Sequence, residues 1–177
     1  MKRRRECFLI DGYNVIHAWP ELSRLAAIEL AQARDQLVHL LTEYGAFEQY
    51  DVTIVFDALF TIDEAHEECH TANVVVVYTA AGETADSRIE RLTHELVRDG
   101  REVHVVTSDG AEQSVILGAG AYRLPAMELW RRIQKFREKL KKEYLPSARQ
   151  RVERNEILTR IDKGVAAQLD KLRRREK

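Results

Sequence analysis

Apolar positions recur along the chain in two periods that predict alternating strands and helices. Cys7-Phe8-Leu9-Ile10 is a short apolar run stopped by Asp11-Gly12, the pattern of a buried strand entering a tight turn. Residues 22–44 carry Leu30, Ala33, Leu37, Leu41 and Tyr44 three or four apart, which predicts a helix with one apolar face. Residues 52–56 read as a second buried strand ended by Asp57. A polar stretch, 61–71, is expected to be a loop, and 74–78 a third strand. Residues 84–98 predict a helix with Ile89, Leu92 and Leu96 on one face and Asp99-Gly100 as its stop. A fourth strand follows at 103–106, a short helix at 111–117 and a fifth strand at 122–124.

After Pro125 the pattern becomes purely helical. Residues 126–144 have Leu129, Ile133, Phe136, Leu140 and Tyr144 as their seam, and Pro146 breaks the helix. A further helix is expected from Ser147 onward, with Leu158, Ile161, Val165, Leu169 and Leu172 at helical spacing. Buried strands alternating with helices imply βαβ units and a parallel sheet covered on both faces, with sites outside the carboxyl ends of the strands.

The length, 177 residues, suits about one domain and buries roughly 70% of the unfolded surface. A hydrophobic share of 45% excludes a disordered chain. Two cysteines, Cys7 and Cys69, do not make a disulfide framework and point to a reducing compartment. The opening Met1-Lys2-Arg3-Arg4-Arg5 is followed by too short an apolar core for a signal peptide, and no run reaches the ~18 apolar residues of a membrane span. The expectation is a cytoplasmic, soluble protein with no membrane partner.

Where the acids fall narrows the chemistry. Asp11 closes the first strand, Asp57 the second, Asp109 lies just past the fourth, and Asp86 sits in the first turn of the helix after the third. All four are expected at one edge of the sheet, with Asn14 one turn beyond Asp11. Like charges ~4 Å apart at an effective dielectric of ~20 repel by about 4 kcal/mol. Such a cluster is tolerable around a divalent cation, or with some carboxyls protonated. Oxygen-only donors favour Mg²⁺ or Mn²⁺ over zinc. Taken singly, strand-end aspartates are usually turn formers or caps; four at one edge point to a site.

Other α/β classes fail on their own diagnostic residues. No G-x-G-x-x-G follows the first strand, and no G-x-x-x-x-G-K-[ST] exists. Asp11-Gly12-Tyr13 is not the Asp-x-Asp of a haloacid-dehalogenase-like phosphatase, and Leu124-Pro125 offers no receiver lysine.

Four segments together carry a resemblance: Ile10-Asp11-Gly12-Tyr13-Asn14-Val15-Ile16, Val55-Phe56-Asp57-Ala58, Glu83-Thr84-Ala85-Asp86-Ser87-Arg88-Ile89-Glu90 and Val106-Thr107-Ser108-Asp109. In order and spacing they resemble the NYN domain of the YacP family, over residues 6 to about 145. The resemblance implies a PIN-like three-layer α/β/α fold with a parallel sheet of four to five strands, plus a basic helical C-terminal extension. The nuclease domain would be 1–145 and the extension 146–177. It further implies a metal-dependent endoribonuclease cutting mRNA on the translating ribosome. Asp11 and Asp86 would be essential ligands of Mg²⁺ or Mn²⁺, with Asp57 and Asp109 completing a catalytic pocket, and Asn14 and Ser108 orienting a ligand or phosphate. The competing readings are a non-catalytic RNA- or ribosome-binding module and a nuclease that processes tRNA or rRNA.

Several other residues invite attention. His66 and His70 have metal-ligand spacing, but the stretch reads better as solvated loop than as a zinc site. Trp19 fits either a base-stacking entrance with His17 or the core. His104, alternating with valines, reads as a satisfied core histidine, and Cys7 as simply buried.

The net charge of −1 hides a division. Residues 1–130 carry 11 Lys+Arg against 22 Asp+Glu, and residues 131–177 carry 17 against 7. Arg131, Arg132, Lys135, Lys139 and Lys142 fall on one broad side of their helix, a stripe able to neutralise RNA phosphates without reading sequence.

Overall fold

The structure is a computed structural model that describes residues 5–57, 66–108 and 113–144. Six strands form one sheet: β1 (Cys7–Asp11), β2 (Asp51–Phe56), β3 (His66–Thr71), β4 (Val74–Tyr78), β5 (Val103–Val106) and β6 (Tyr122–Leu124). Their order is β3-β4-β2-β1-β5-β6, with every neighbouring pair parallel except β3 with β4. The helices are α1 (Gly12–Ala18), α2 (Pro20–Ala26), α3 (Leu30–Glu48), α4 (Ala85–Arg98), α5 (Gln113–Gly118) and α6 (Ala126–Tyr144). The chain divides into two compact units, Met1–Gln134 and Lys135–Lys177. Among the described residues no helix is long and apolar enough to cross a membrane.

The sheet is buried because both faces of its central strands are apolar. Cys7, Leu9, Val55, Val77, Val103 and Val105 form one cluster with Ala85 and Ile89 of α4 and with Ile116 and Ala121, and Leu92 and Leu96 pack against it. Phe8, Ile10, Ile54, Phe56, Val74 and Val76 have the opposite parity along their strands and are equally buried. At about 25 cal/mol per Å² of apolar surface, this two-sided burial is the main stabilising term of the fold.

The three-layer α/β architecture is as expected, with two differences in its elements. The sheet has six strands rather than four or five, because 66–71 is an antiparallel edge strand and not a loop. All six of its residues are exposed, so no apolar alternation marks it. The helix expected over 22–44 is two, since Glu29 is extended (φ −151°, ψ 108°) between α2 and α3. Residues 145–177, including the helix expected after Ser147, lie outside the described residues, and the division at 145/146 stays a proposal.

The topology decides where a site forms. From β1 the chain crosses to β2 on one side, and from β4 it crosses back through α4 to β5 on the other. The strand order therefore switches at β1, and the crevice beyond its carboxyl end is where open α/β sheets bind ligands.

Candidate active site

Asp11 is the last residue of β1 and the N-cap of α1. Its Oδ1 accepts a hydrogen bond from the Asn14 backbone N–H at 3.0 Å, which satisfies one of the helix's orphan donors. The next residue, Gly12, lies under the Phe56 ring at the end of β2, and a Cβ there would clash with that ring. Thus Asp11-Gly12 is a packing requirement as well as a turn. Asp57 follows Phe56, and its Oδ1 accepts from the Thr79 hydroxyl at 3.3 Å. Thr79, directly after β4, is itself buried.

Asp86 lies in the first turn of α4, where a helix N-terminus favours negative charge. Thr84 caps that turn, its hydroxyl accepting from the Ser87 N–H at 3.2 Å. Asp11 shares its parity with Leu9, whose face α4 covers, so Asp11 and Asp86 meet on one side of the sheet. The electrostatics record that meeting. The Asp11 carboxyl is pushed above the ordinary carboxylate range, first by burial and then by the charges of Asp86 and Asp57, against the lowering effect of the Asn14 and Tyr13 backbone.

The structure therefore brings Asp11, Asp57 and Asp86 together. Asp109 lies outside the described residues. Asn14 spends its side-chain oxygen on the Ser108 N–H at 2.7 Å, tying α1 to the segment after β5. Ser108 is exposed at that edge. Arg131, Arg132, Lys135, Lys139 and Lys142 are all exposed on α6, and Arg132 pairs with Glu128 at 2.6 Å.

Four other residues singled out in the sequence are placed as follows. Trp19 is fully buried, donates through Nε1 to the Ala126 carbonyl at 2.8 Å and lies tilted against Trp130, so it belongs to the core rather than an entrance. His66 and His70 stand on one side of β3 and both face Glu68 at 3.6 Å. His104 is no satisfied core residue: its Nε2 is buried without a hydrogen-bond partner, and Glu6 and Glu102 flank it. Sequence reasoning missed Thr79 and Thr84. For Thr84 a signal was available, since Thr84-Ala85-Asp86-Ser87 is a capping pattern.

A mostly parallel six-stranded sheet between helical layers is a PIN-like α/β/α fold, and here three carboxylates from separate segments gather at its switch point. The chain matches the YacP-like NYN domain over residues 8–174 and belongs to that family, a nuclease-type family directed at RNA. It is 37% identical over 137 residues to the YacP protein of Bacillus subtilis (strain 168), covering 77% of this chain and 80% of that one. The crystal structure of Rae1 (YacP) from Bacillus subtilis is similar at a TM-score of 0.67 and 33% identity, covering 96% of this chain and 95% of that one. A tryptophan-to-leucine mutant of the same protein gives a TM-score of 0.66 at 38% identity, over 77% of this chain and 79% of that one.

Proposed function

We propose that this chain is an endoribonuclease that hydrolyses RNA phosphodiester bonds with Mg²⁺ or Mn²⁺, and that its substrate is mRNA on the translating ribosome in the cytoplasm. The observation that carries the reading is the convergence of Asp11, Asp57 and Asp86 strongly enough for burial and the two neighbouring charges to raise the Asp11 carboxyl. A site that only capped a helix would have no need of the other two acids.

The residues fit a divalent cation of the hard class. Every donor is a carboxylate oxygen, which suits Mg²⁺ or Mn²⁺ better than zinc. Among the described residues, the three carboxylates do not close to within a common 4.8 Å. An open set of this kind suits Mg²⁺, which keeps several waters and takes only one or two carboxylates directly. Asp11, Asp57 and Asp86 would hold the ion, with Asp109 as the expected fourth. When bound, it supplies Lewis acidity to the scissile phosphate and acidifies water.

The chain's own residues do the positioning. The Asn14 N–H fixes one oxygen of Asp11, the Thr79 hydroxyl fixes one of Asp57, and the Thr84 cap fixes the turn that carries Asp86. Asn14, through Ser108, sets the start of the segment that leads to Asp109. The exposed cations of α6, Arg131, Arg132, Lys135, Lys139 and Lys142, would bind the RNA backbone and make affinity fall with salt.

The test is to incubate RNA with the purified protein and Mg²⁺ or Mn²⁺, with and without EDTA, beside Asp11→Asn and Asp86→Asn. Cleavage that EDTA abolishes and both variants lack is expected. Full activity in both variants, or cleavage indifferent to EDTA, overturns the reading. Binding without cleavage of any RNA identifies a recognition module instead. Running translated and untranslated mRNA side by side tests the ribosome, and tRNA or rRNA cut without translation would redirect the substrate assignment.

A further inference from the structure

At the end of the sheet opposite the acidic edge, three side chains converge that the nuclease reading does not use. Glu6 precedes β1, Glu102 precedes β5, and His104 is the second residue of β5. The three share strand parity, so they project from the same face. One donor atom from each lies within 4.8 Å of the other two.

The distances are ion-pair distances, longer than hydrogen bonds, and are also those of ligand atoms that share one ion. His104 Nε2 stands 3.5 Å from a Glu6 carboxylate oxygen and 3.6 Å from one of Glu102. Both are too long for a good N–H···O bond. Zinc bonds of about 2.1 Å at tetrahedral angles would separate two ligand atoms by about 3.4 Å. The same nitrogen is buried and has no hydrogen-bond partner, an expensive state for an imidazole atom unless something occupies the space it faces.

The ring is held for that purpose. His104 is the register partner of Phe8 on one side and Tyr122 on the other. It stacks on both, at centroid separations of 4.9 Å and 5.3 Å. Stacking from both flanks fixes the imidazole plane and aims Nε2 at the two carboxylates. Arg5 and Arg101, the sequence neighbours of Glu6 and Glu102, both pair with Asp51.

We propose that Glu6, Glu102 and His104 form a divalent transition-metal site, with Zn²⁺ as its best-matched ion and a fourth position open to water. Imidazole with two carboxylates is a borderline donor set that selects Zn²⁺ over Mg²⁺, whereas the oxygen-only acidic edge selects the reverse. An occupied site ties the residues before β1 and β5 together at the base of these two neighbouring strands. It therefore stabilises the fold without entering the nuclease chemistry.

The experiment titrates the full chain with Zn²⁺, and separately with Co²⁺ read by its visible d–d absorption. The proteins are the parent, His104→Phe, the double variant Glu6→Gln/Glu102→Gln, and Asp11→Asn. The phenylalanine keeps the stack with Phe8 and Tyr122, and the glutamines keep the shape of the glutamates, so folding is checked by near-UV dichroism in each. Expected are one saturable Zn²⁺ site that survives a large excess of Mg²⁺ and persists in Asp11→Asn, weakened at least tenfold in the other two variants. Zn²⁺ should also raise the melting temperature of the parent and of Asp11→Asn, but not of those two variants. Equal Zn²⁺ affinity in the parent and in a folded His104→Phe overturns the proposal. So does the absence of a saturable site in the parent, or loss of Zn²⁺ binding in Asp11→Asn alone.

Discussion

Replacing Gly12 by alanine tests whether Asp11 is placed by packing. The added Cβ would fall 2.5 Å from Phe56 Cδ1 and 2.8 Å from Cζ, with Cε1 closer still. The ring has little room to yield: Phe56 is fully buried, edge-on to Tyr13 at 5.1 Å and stacked with Tyr78 at 5.8 Å. Overpacking of this kind costs roughly 1–3 kcal/mol, against less than about 1 kcal/mol gained from the better helix propensity of alanine. The net loss of about 1–2 kcal/mol corresponds to a melting point lower by roughly 3–6 °C in a chain of this length. Because Asp11 precedes the clash directly, RNA cleavage should fall more than stability does. Thermal melts of Gly12→Ala, Phe56→Leu and the double variant form a cycle. The double variant should lose less stability than the two single losses combined by at least about 1 kcal/mol. A Gly12→Ala protein that melts at or above the parent temperature, with additive effects in the cycle, would refute the reasoning.

Further expectations follow from the same geometry. Asp11→Asn should abolish cleavage, yet melt no lower than the parent in EDTA, because asparagine still caps α1 while one of three repelling carboxylates is gone; a clear drop in melting temperature would contradict this. Trp19→Phe should cost about 1–3 kcal/mol in urea unfolding, since the Ala126 carbonyl loses its buried donor, and an unchanged midpoint would count against that bond. The native protein should expose one reactive thiol, Cys69, with Cys7 labelled only on unfolding because burial raises its pKa and hides it; two fast thiols in a native titration would show otherwise. Burial pushes the Tyr44 hydroxyl up to about 12. Its stabilising contribution is full below the unfolded value of 10.0 and is lost as pH rises through about 12. Alkaline unfolding should accordingly be less steep in Tyr44→Phe, and an identical alkaline profile would remove Tyr44 from the account.

Much of this molecule was legible because buried parallel strands write themselves as apolar runs. Val52-Thr53-Ile54-Val55-Phe56 and Val74-Val75-Val76-Val77 could hardly be anything else. What escaped had no apolar signature or had one with two meanings. His66 to Thr71 forms an edge strand on β4 with all six residues exposed, helped by the His66 stack on Tyr78 and the Glu67–Arg88 pair, none of which leaves an apolar pattern. Gly12-Tyr13-Asn14 reads as a turn but is the first turn of α1, because Asp11 supplies the cap and Gly12 the clearance under Phe56. The break at Glu29 carries neither proline nor glycine, so a continuous helix was the natural expectation. At the site, the positions of Asp11, Asp57 and Asp86 followed from strand ends, whereas Thr79 was invisible: a threonine after a strand shows no preference for a carboxylate until the fold brings Asp57 beside it.

The acidic edge is costly for the fold, and Asp11 shows how that cost is contained. Its charge is disfavoured by burial, by Asp86 and by Asp57, yet its Oδ1 also completes the N-terminus of α1. The Asn14 N–H works against the other three influences, so the capping bond that builds the helix also helps keep the carboxylate ionised. Asn14 then spends its side chain on Ser108, beyond β5, the strand paired with the other side of β1. One turn of helix thus links two strand ends of the crevice through backbone donors, leaving the carboxylates exposed to one another. This division of labour separates the two residues experimentally. Asn14→Ala keeps its backbone N–H, so α1 should keep its cap and most of its stability, while the Ser108 backbone N–H loses its acceptor. Cleavage should fall with little change in melting temperature, the reverse of what loss of the Asp11 cap through Asp11→Ala would do to the fold.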